Sequence, residues 1–222
     1  MKTFSLLIFL LVAGAVQAQE IQTLFGRGSG TGGYVALANK FSTFNGDFAN
    51  LNEVYGGVFI NRRWLVGMGF AASTNDIRVP IQYSVNPAVP MTYQYGQGGL
   101  MLERVLSSNR SIHLVANLFS GVGFTAQYYR PQWDEWDSWR DYHNTTHDEN
   151  WFYVLEPGAQ LEMNLFRWLR FSPGVSYRKT YGSNGNGLGD RELTNWSYNL
   201  TLKIGSFGKR HRARHSSETI SN

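Results

Sequence analysis

Apolar and polar residues alternate with period two along most of this chain, the signature of strands with two unlike faces. In residues 152–165, Tyr153, Leu155, Pro157, Ala159, Leu161, Met163 and Leu165 fall on one side. Phe152, Val154, Glu156, Gly158, Gln160, Glu162 and Asn164 fall on the other. A helix would scatter both sets around its circumference. The same division recurs in 169–178, 112–124, 196–205 and 64–71, and more weakly in 33–41, 52–61 and 93–106. Eight strands are expected. In 52–61 the pattern is mixed, because Tyr55 and Phe59 share a face with Glu53.

The connections alternate in length. Short polar turns are expected at Asn61-Arg62-Arg63, at Ser107-Ser108-Asn109-Arg110 and around 164–167; longer segments lie at 42–51, 72–92, 125–150 and 179–193. Eight strands with short turns at one end and long loops at the other predict an all-β, antiparallel, up-and-down transmembrane barrel, with short periplasmic turns and longer extracellular loops.

The amino terminus gives a compartment. Lys2, the apolar run Phe4 to Val12 and the small residues Val16 and Ala18 form a secretory signal, residues 1–18. That apolar run is too short to cross ~30 Å of hydrocarbon as a helix. Residues 19–32 then read as a flexible lead-in, 33–207 as the barrel and 208–222 as a basic periplasmic tail. The absence of cysteine removes disulfide scaffolds, Cys-ligated metal sites and lipid-anchored amino-terminal cysteines.

Charge separates the tail from the body. The whole chain carries +4, but Lys209, Arg210, Arg212, Arg214 and Glu218 give the tail +3, and residues 19–207 sum to zero. A nucleic-acid-binding fold would carry a basic face on its body, so nucleic acid is not an expected partner. Only 16% of residues are charged and 15% are aromatic, too little charge to cover a water-facing surface of this size.

A secreted lipocalin also has eight alternating strands, so the choice rests on which face points out. The polar faces carry Lys40, Glu53, Glu103, Glu156, Glu162, Arg170, Arg178 and Lys203 among many Gly, Ser and Asn residues, which suits a narrow interior. The apolar faces end in aromatics such as Trp64, Phe124, Tyr153, Tyr177 and Trp196, as interfacial girdles do. Eight strands leave a bore that side chains can fill, so a general porin is not expected. Glu53, Glu103, Glu156, Glu162, Arg170, Arg178 and Lys203 are the expected lumen charge network, with opposite charges on neighbouring strands pairing.

The segments Gly56-Gly57-Val58-Phe59-Ile60-Asn61, Gly98-Gly99-Leu100-Met101-Leu102-Glu103, Val154-Leu155-Glu156-Pro157-Gly158-Ala159, Leu169-Arg170-Phe171 and Val175-Ser176-Tyr177-Arg178 resemble the small eight-stranded outer-membrane proteins, the OmpA barrel and OmpX, and more closely the outer membrane protein β-barrel domain group. The resemblance covers nearly the whole mature chain and implies an outer-membrane location. It brings no catalytic residues. One departure is that such barrels often end on a terminal Phe, whereas Phe207 is followed by fifteen residues and falls off the Trp196–Ile204 face.

The loop 125–150 is rich in rings. Trp133, Trp136, Trp139 and Tyr142 form an expected interaction surface for protein or glycan, against the plainer reading that they cap the mouth or sit at lipid headgroups. His143 and His147 have a metal-like spacing but lie in a loop composition without the glutamate a zinc protease needs, so no metal and no cofactor is expected. A lipid-A-modifying enzyme would need a Ser with a His or carboxylate near the outer leaflet; His113 is at the wrong end and the loop histidines have only Ser138 nearby. The expected role is therefore non-enzymatic, structural or interactive, with outer-membrane lipid and lipopolysaccharide as surroundings. The alternative is an accessory subunit of a larger envelope complex.

Overall fold

In a computed structural model, residues 32–60, 63–106, 111–129 and 147–207 are described. Eight long strands carry the fold: β1 (Gly33–Phe44), β2 (Asp47–Ile60), β3 (Trp64–Ser73), β5 (Met91–Leu106), β6 (Ile112–Tyr129), β7 (His147–Asn164), β8 (Leu169–Tyr181) and β11 (Asn195–Ser206). Each pairs antiparallel with its neighbours in the order β3-β2-β1-β11-β8-β7-β6-β5, and a β3–β5 pairing closes the ring. The seam between first and last strands runs from Gly33 opposite Ser206 to Phe41 opposite Tyr198. Closure leaves no strand edge, which hydrocarbon demands of any sheet that crosses it.

Four short elements decorate the loop end. They are β4 (Ile77–Arg78), which pairs with β5, the hairpin β9 (Asn184–Gly185) and β10 (Leu188–Gly189), and a single helical turn α1 (Asp190–Leu193). A 3-10 turn spans Ile81–Tyr83.

The alternation sorts the side chains as the physics of a two-faced strand requires. Val35, Leu37, Val58, Met68, Phe70, Leu100, Leu114, Val122, Leu161, Leu200 and Leu202 point outward and are exposed. Lys40, Glu53, Glu103, His113, Glu156, Glu162, Arg178 and Lys203 point inward and are buried. A water-soluble barrel reverses this arrangement; an apolar outside and a polar inside belong in lipid. Ring pairs mark the two borders of the belt. Phe41 with Phe48, Tyr177 with Trp196, and Phe124 with Trp151 lie toward the loop end, while Phe166 stacks on Trp168 at the turn end.

One expected loop is a tight turn instead. The segment 42–51 continues β1 and β2 up to Asn45-Gly46, whose φ values of 50° and 88° are those of a two-residue hairpin. The strands also run further than the alternation suggests. At 18 residues each, β6 and β7 exceed the ~9–11 that cross a bilayer, so their outer ends stand clear of it. Along Met91–Gln97 nearly every residue is buried whichever way it points: β4 pairs with this stretch, the Tyr93 hydroxyl donates to the Asn186 carbonyl, and the Phe124 ring lies over Gly96. This is why the pattern in β5 is weak.

Two backbones come very close where glycines face each other. Gly57 of β2 is opposite Gly67 of β3, and a Cβ at Gly67 would overlap the Gly56 carbonyl. Only glycine lets the two backbones approach so closely. Opposite Tyr55, one of the inward rings that blur the sequence pattern, stands Gly69, where a Cβ would come within 3.1 Å of the tyrosine's own.

Candidate functional site

Two clusters of charge occupy the interior at different heights. Toward the turn end, Lys203 of β11 reaches Glu103 of β5 at 3.1 Å and Glu162 of β7 at 2.9 Å. Glu162 also receives Arg170 from the adjacent β8 and meets His113 Nε2 at 2.8 Å. The Tyr34 hydroxyl donates to Glu103. The Arg170 guanidinium lies 3.6 Å from the centre of the Phe207 ring. That ring turns inward beside Tyr34 and Phe59, which accounts for its being off the Trp196–Ile204 face.

Nearer the loop end, Lys40 of β1 bridges two carboxylates, Glu53 of β2 at 3.0 Å and Glu156 of β7 at 2.8 Å. Glu156 further accepts hydrogen bonds from Gln97 and Ser176. Each lysine and glutamate of these two clusters thus has an opposite charge beside it, and Glu103, Glu156 and Glu162 accept further bonds, conditions under which burial of ions is tolerated.

Arg178 is different. Fully buried, it has no carboxylate within ion-pair distance among the described residues. Its Nε donates to the Leu193 carbonyl at the end of α1 and one Nη to Ser42, both at 3.0 Å. The guanidinium packs 4.5 Å from the Phe44 ring and 5.1 Å from Tyr95. A weakly hydrated, planar cation suits such an aromatic bed better than an ammonium would.

All seven residues expected in the lumen network face inward, and their partnerships are of two kinds. Arg170–Glu162, His113–Glu162 and Lys40–Glu53 join adjacent strands, as expected. Lys203–Glu103 and Lys40–Glu156 cross the bore between strands that are not adjacent. The bore of eight strands is narrow enough for long side chains to meet across it. Lys40, His113 and Tyr34 complete these clusters; His113 and Tyr34 look like ordinary strand residues in the sequence, and only closure of the ring brings them to the carboxylates.

The mouth at the loop end is held by a separate set of bonds. Gln127 donates to the Tyr83 carbonyl at 2.9 Å and to Asp148 at 3.1 Å, and Asp148 accepts from the Asn186 backbone at 2.8 Å. Asp190 receives the backbone N–H groups of Gly182 and Ser183. Leu188 and Leu193 are buried beneath this loop. Trp133, Trp136, Trp139, Tyr142 and His143 lie outside the described residues, as do the expected signal at 1–18, almost all of the lead-in and the tail.

No protein-family model and no curated protein sequence matches the chain. Solved structures do. Neisserial surface protein A superposes with a TM-score of 0.52 at 8% identity, over 80% of this chain and 99% of that one. The chain has the fold of the small outer-membrane barrels. Ail of Yersinia pestis (TM-score 0.45, 11% identity, 80% of this chain and 99% of that) and OprG of Pseudomonas aeruginosa (0.44, 14%, 81% and 97%) are also similar. For an outer-membrane barrel, the turn end with both β1 and β11 ends faces the periplasm, and the loop end faces outward.

Proposed function

We propose that this outer-membrane barrel is non-enzymatic, that its bore is closed to free diffusion by its own side chains, and that it acts through its outward loops. The observation that carries this reading is the cross-bore pairing of Lys203 with Glu103 and Glu162, and of Lys40 with Glu156, to which Glu53 adds from the strand beside Lys40. Charged side chains satisfied by one another hold no substrate, and two such layers span the lumen. What remains free to meet other molecules is the loop end, where strands rise beyond the membrane. The expected surface of Trp133, Trp136, Trp139 and Tyr142 belongs to that end, with lipopolysaccharide, a host or neighbouring glycan, or an envelope protein as the partner class.

The experiment has two parts. Purified protein that runs as a heat-modifiable band and is added to planar bilayers conducts no steady porin-like current on this reading. Deleting 133–142 abolishes binding to cells or to lipopolysaccharide while the heat-modifiable band is kept. Large stable single-channel steps overturn the closed bore, and unchanged binding after the deletion overturns the loop surface.

A further inference from the structure

Outside the bore, charge is distributed unevenly between the two ends. Among the described residues, the turn end carries Arg63, Arg104 and Arg167; in sequence Arg62 and Arg110 adjoin them, and the residues after 207 include Lys209, Arg210, Arg212, Arg214 and Glu218. The acids nearest to these turns, Glu103 and Glu162, point into the bore and are paired there with Lys203, so they do not neutralise the rim. Ahead of β1, Glu20 and Arg27 cancel. Among the described residues of the loop end the balance reverses, with Asp47, Asp76, Asp148, Glu149, Asp190 and Glu192 against Arg78, Lys179 and Arg191.

We propose that the exposed arginines Arg63, Arg104 and Arg167 form a collar that binds the anionic phosphodiester headgroups of phospholipids in the periplasmic leaflet. The depth of Arg104 and Arg167 selects lipid over a cell-wall or protein partner, and Arg63 is next to Trp64 in the chain. Arg104 is directly opposite Trp64 in the β3–β5 ladder, both point outward, and the guanidinium lies 5.1 Å from the ring centre. Arg167 lies between Phe166 and Trp168, whose stacked rings are both exposed. Aromatic rings of this kind sit at headgroup level, so the guanidinium groups beside them are held at the height of lipid phosphates. Arginine presents a planar fork that matches two phosphate oxygens at once. Cations spaced around the rim at a negatively charged lipid surface retain those lipids selectively, and the attraction fades with salt.

The test uses the full chain in phosphatidylcholine bilayers containing trace spin-labelled phosphatidylglycerol or spin-labelled phosphatidylcholine. The motionally restricted fraction of each gives their relative association. The expected result is a preference of about fivefold for phosphatidylglycerol at low salt, corresponding to one effective cation per lipid contact. It should fall toward unity in 1 M NaCl and in the R63Q/R104Q/R167Q variant. Equal association of the two lipids with the unaltered protein overturns the proposal. So does a preference that the triple variant retains, or one lost only when 208–222 is deleted, which would assign the contact to the tail. Retention on peptidoglycan without lipid preference also overturns it. Should the triple variant fail to give a heat-modifiable band, the salt dependence of the unaltered protein and the single R104Q variant decide the question.

Discussion

Lys203 and Glu103 meet across the bore from strands that share no ladder, with Nζ of the lysine 3.1 Å from Oε2 of the glutamate. The same ammonium holds Glu162 from a third strand. One cation thus ties three walls together, and the barrel's cross-section at this height is set by side-chain chemistry as well as by backbone pairing.

Replacing Lys203 with methionine leaves Glu103 with only the Tyr34 hydroxyl, while Glu162 keeps Arg170. Breaking a buried pair from one side costs about 3–5 kcal/mol. Urea unfolding in detergent or lipid, followed by tryptophan fluorescence, should register a loss of that order. Adding Glu103→Gln removes the stranded charge, so K203M/E103Q should recover most of it. A double variant no better than K203M would contradict the pairing.

Leu200 points outward midway along β11, at 48% exposure in the protein alone. An arginine at that depth in a lipid-facing wall costs about 2–4 kcal/mol. Leu200→Arg should reduce the yield of heat-modifiable barrel in membranes, whereas the neighbouring Tyr198→Trp, nearer the aromatic border, should leave it unchanged. Equal yields from both would argue against the belt.

Gly46 carries a φ of 88° with nothing near its missing Cβ, so a side chain there meets no clash but an unfavourable backbone. Gly46→Ala should destabilise by roughly 1–2 kcal/mol. Asn45→Gly, which keeps the turn geometry available, should be nearly neutral. Equilibrium unfolding of the two variants side by side separates turn strain from loss of the Asn45 N–H contact to Glu192, since that contact is made by backbone in both.

Arg178 fastens the outer loop by donating to the Leu193 carbonyl. Arg178→Met keeps the bulk over Phe44 and Tyr95 but removes the donor. Limited proteolysis of intact membranes should then nick within 182–194, with the barrel still heat-modifiable. Protection equal to that of the unaltered protein would mean the loop is held by Asp190 and its backbone partners instead.

Much of this was legible in the sequence because lipid imposes a strict rule. Where a strand has hydrocarbon on one side and a narrow lumen on the other, each residue obeys the alternation, as in 153–165 and 196–204. Legibility fails where that two-solvent condition lapses. Along Met91–Gln97 both faces are covered, so period two no longer reports direction. At Tyr55 a glycine in the adjacent strand, Gly69, leaves room for a ring inside, and Phe59 joins the same buried cluster. The Asn45-Gly46 turn reads in the sequence as part of a longer loop, because the residues around it lose the two-faced pattern where β1 and β2 extend above the membrane. The identity of the lumen residues was readable from period alone. Their partners were not, because Lys40–Glu156 and Lys203–Glu103 depend on which strands closure sets opposite each other, a property of the ring that no single strand encodes.

The seam of β1 with β11 has a further consequence for how the protein is made. Its pairs, from Gly33–Ser206 to Phe41–Tyr198, join the first and last strands of the sheet, so no shorter stretch of chain can supply them. A ribosome that has released everything through β8 has produced a sheet with two raw margins, and neither margin survives in oil. Entry into the bilayer and completion of the ring are therefore one event, timed by delivery of the final strand. A messenger cut short before residue 195 should yield no partly inserted intermediate at all, only a chaperone-bound polypeptide awaiting degradation.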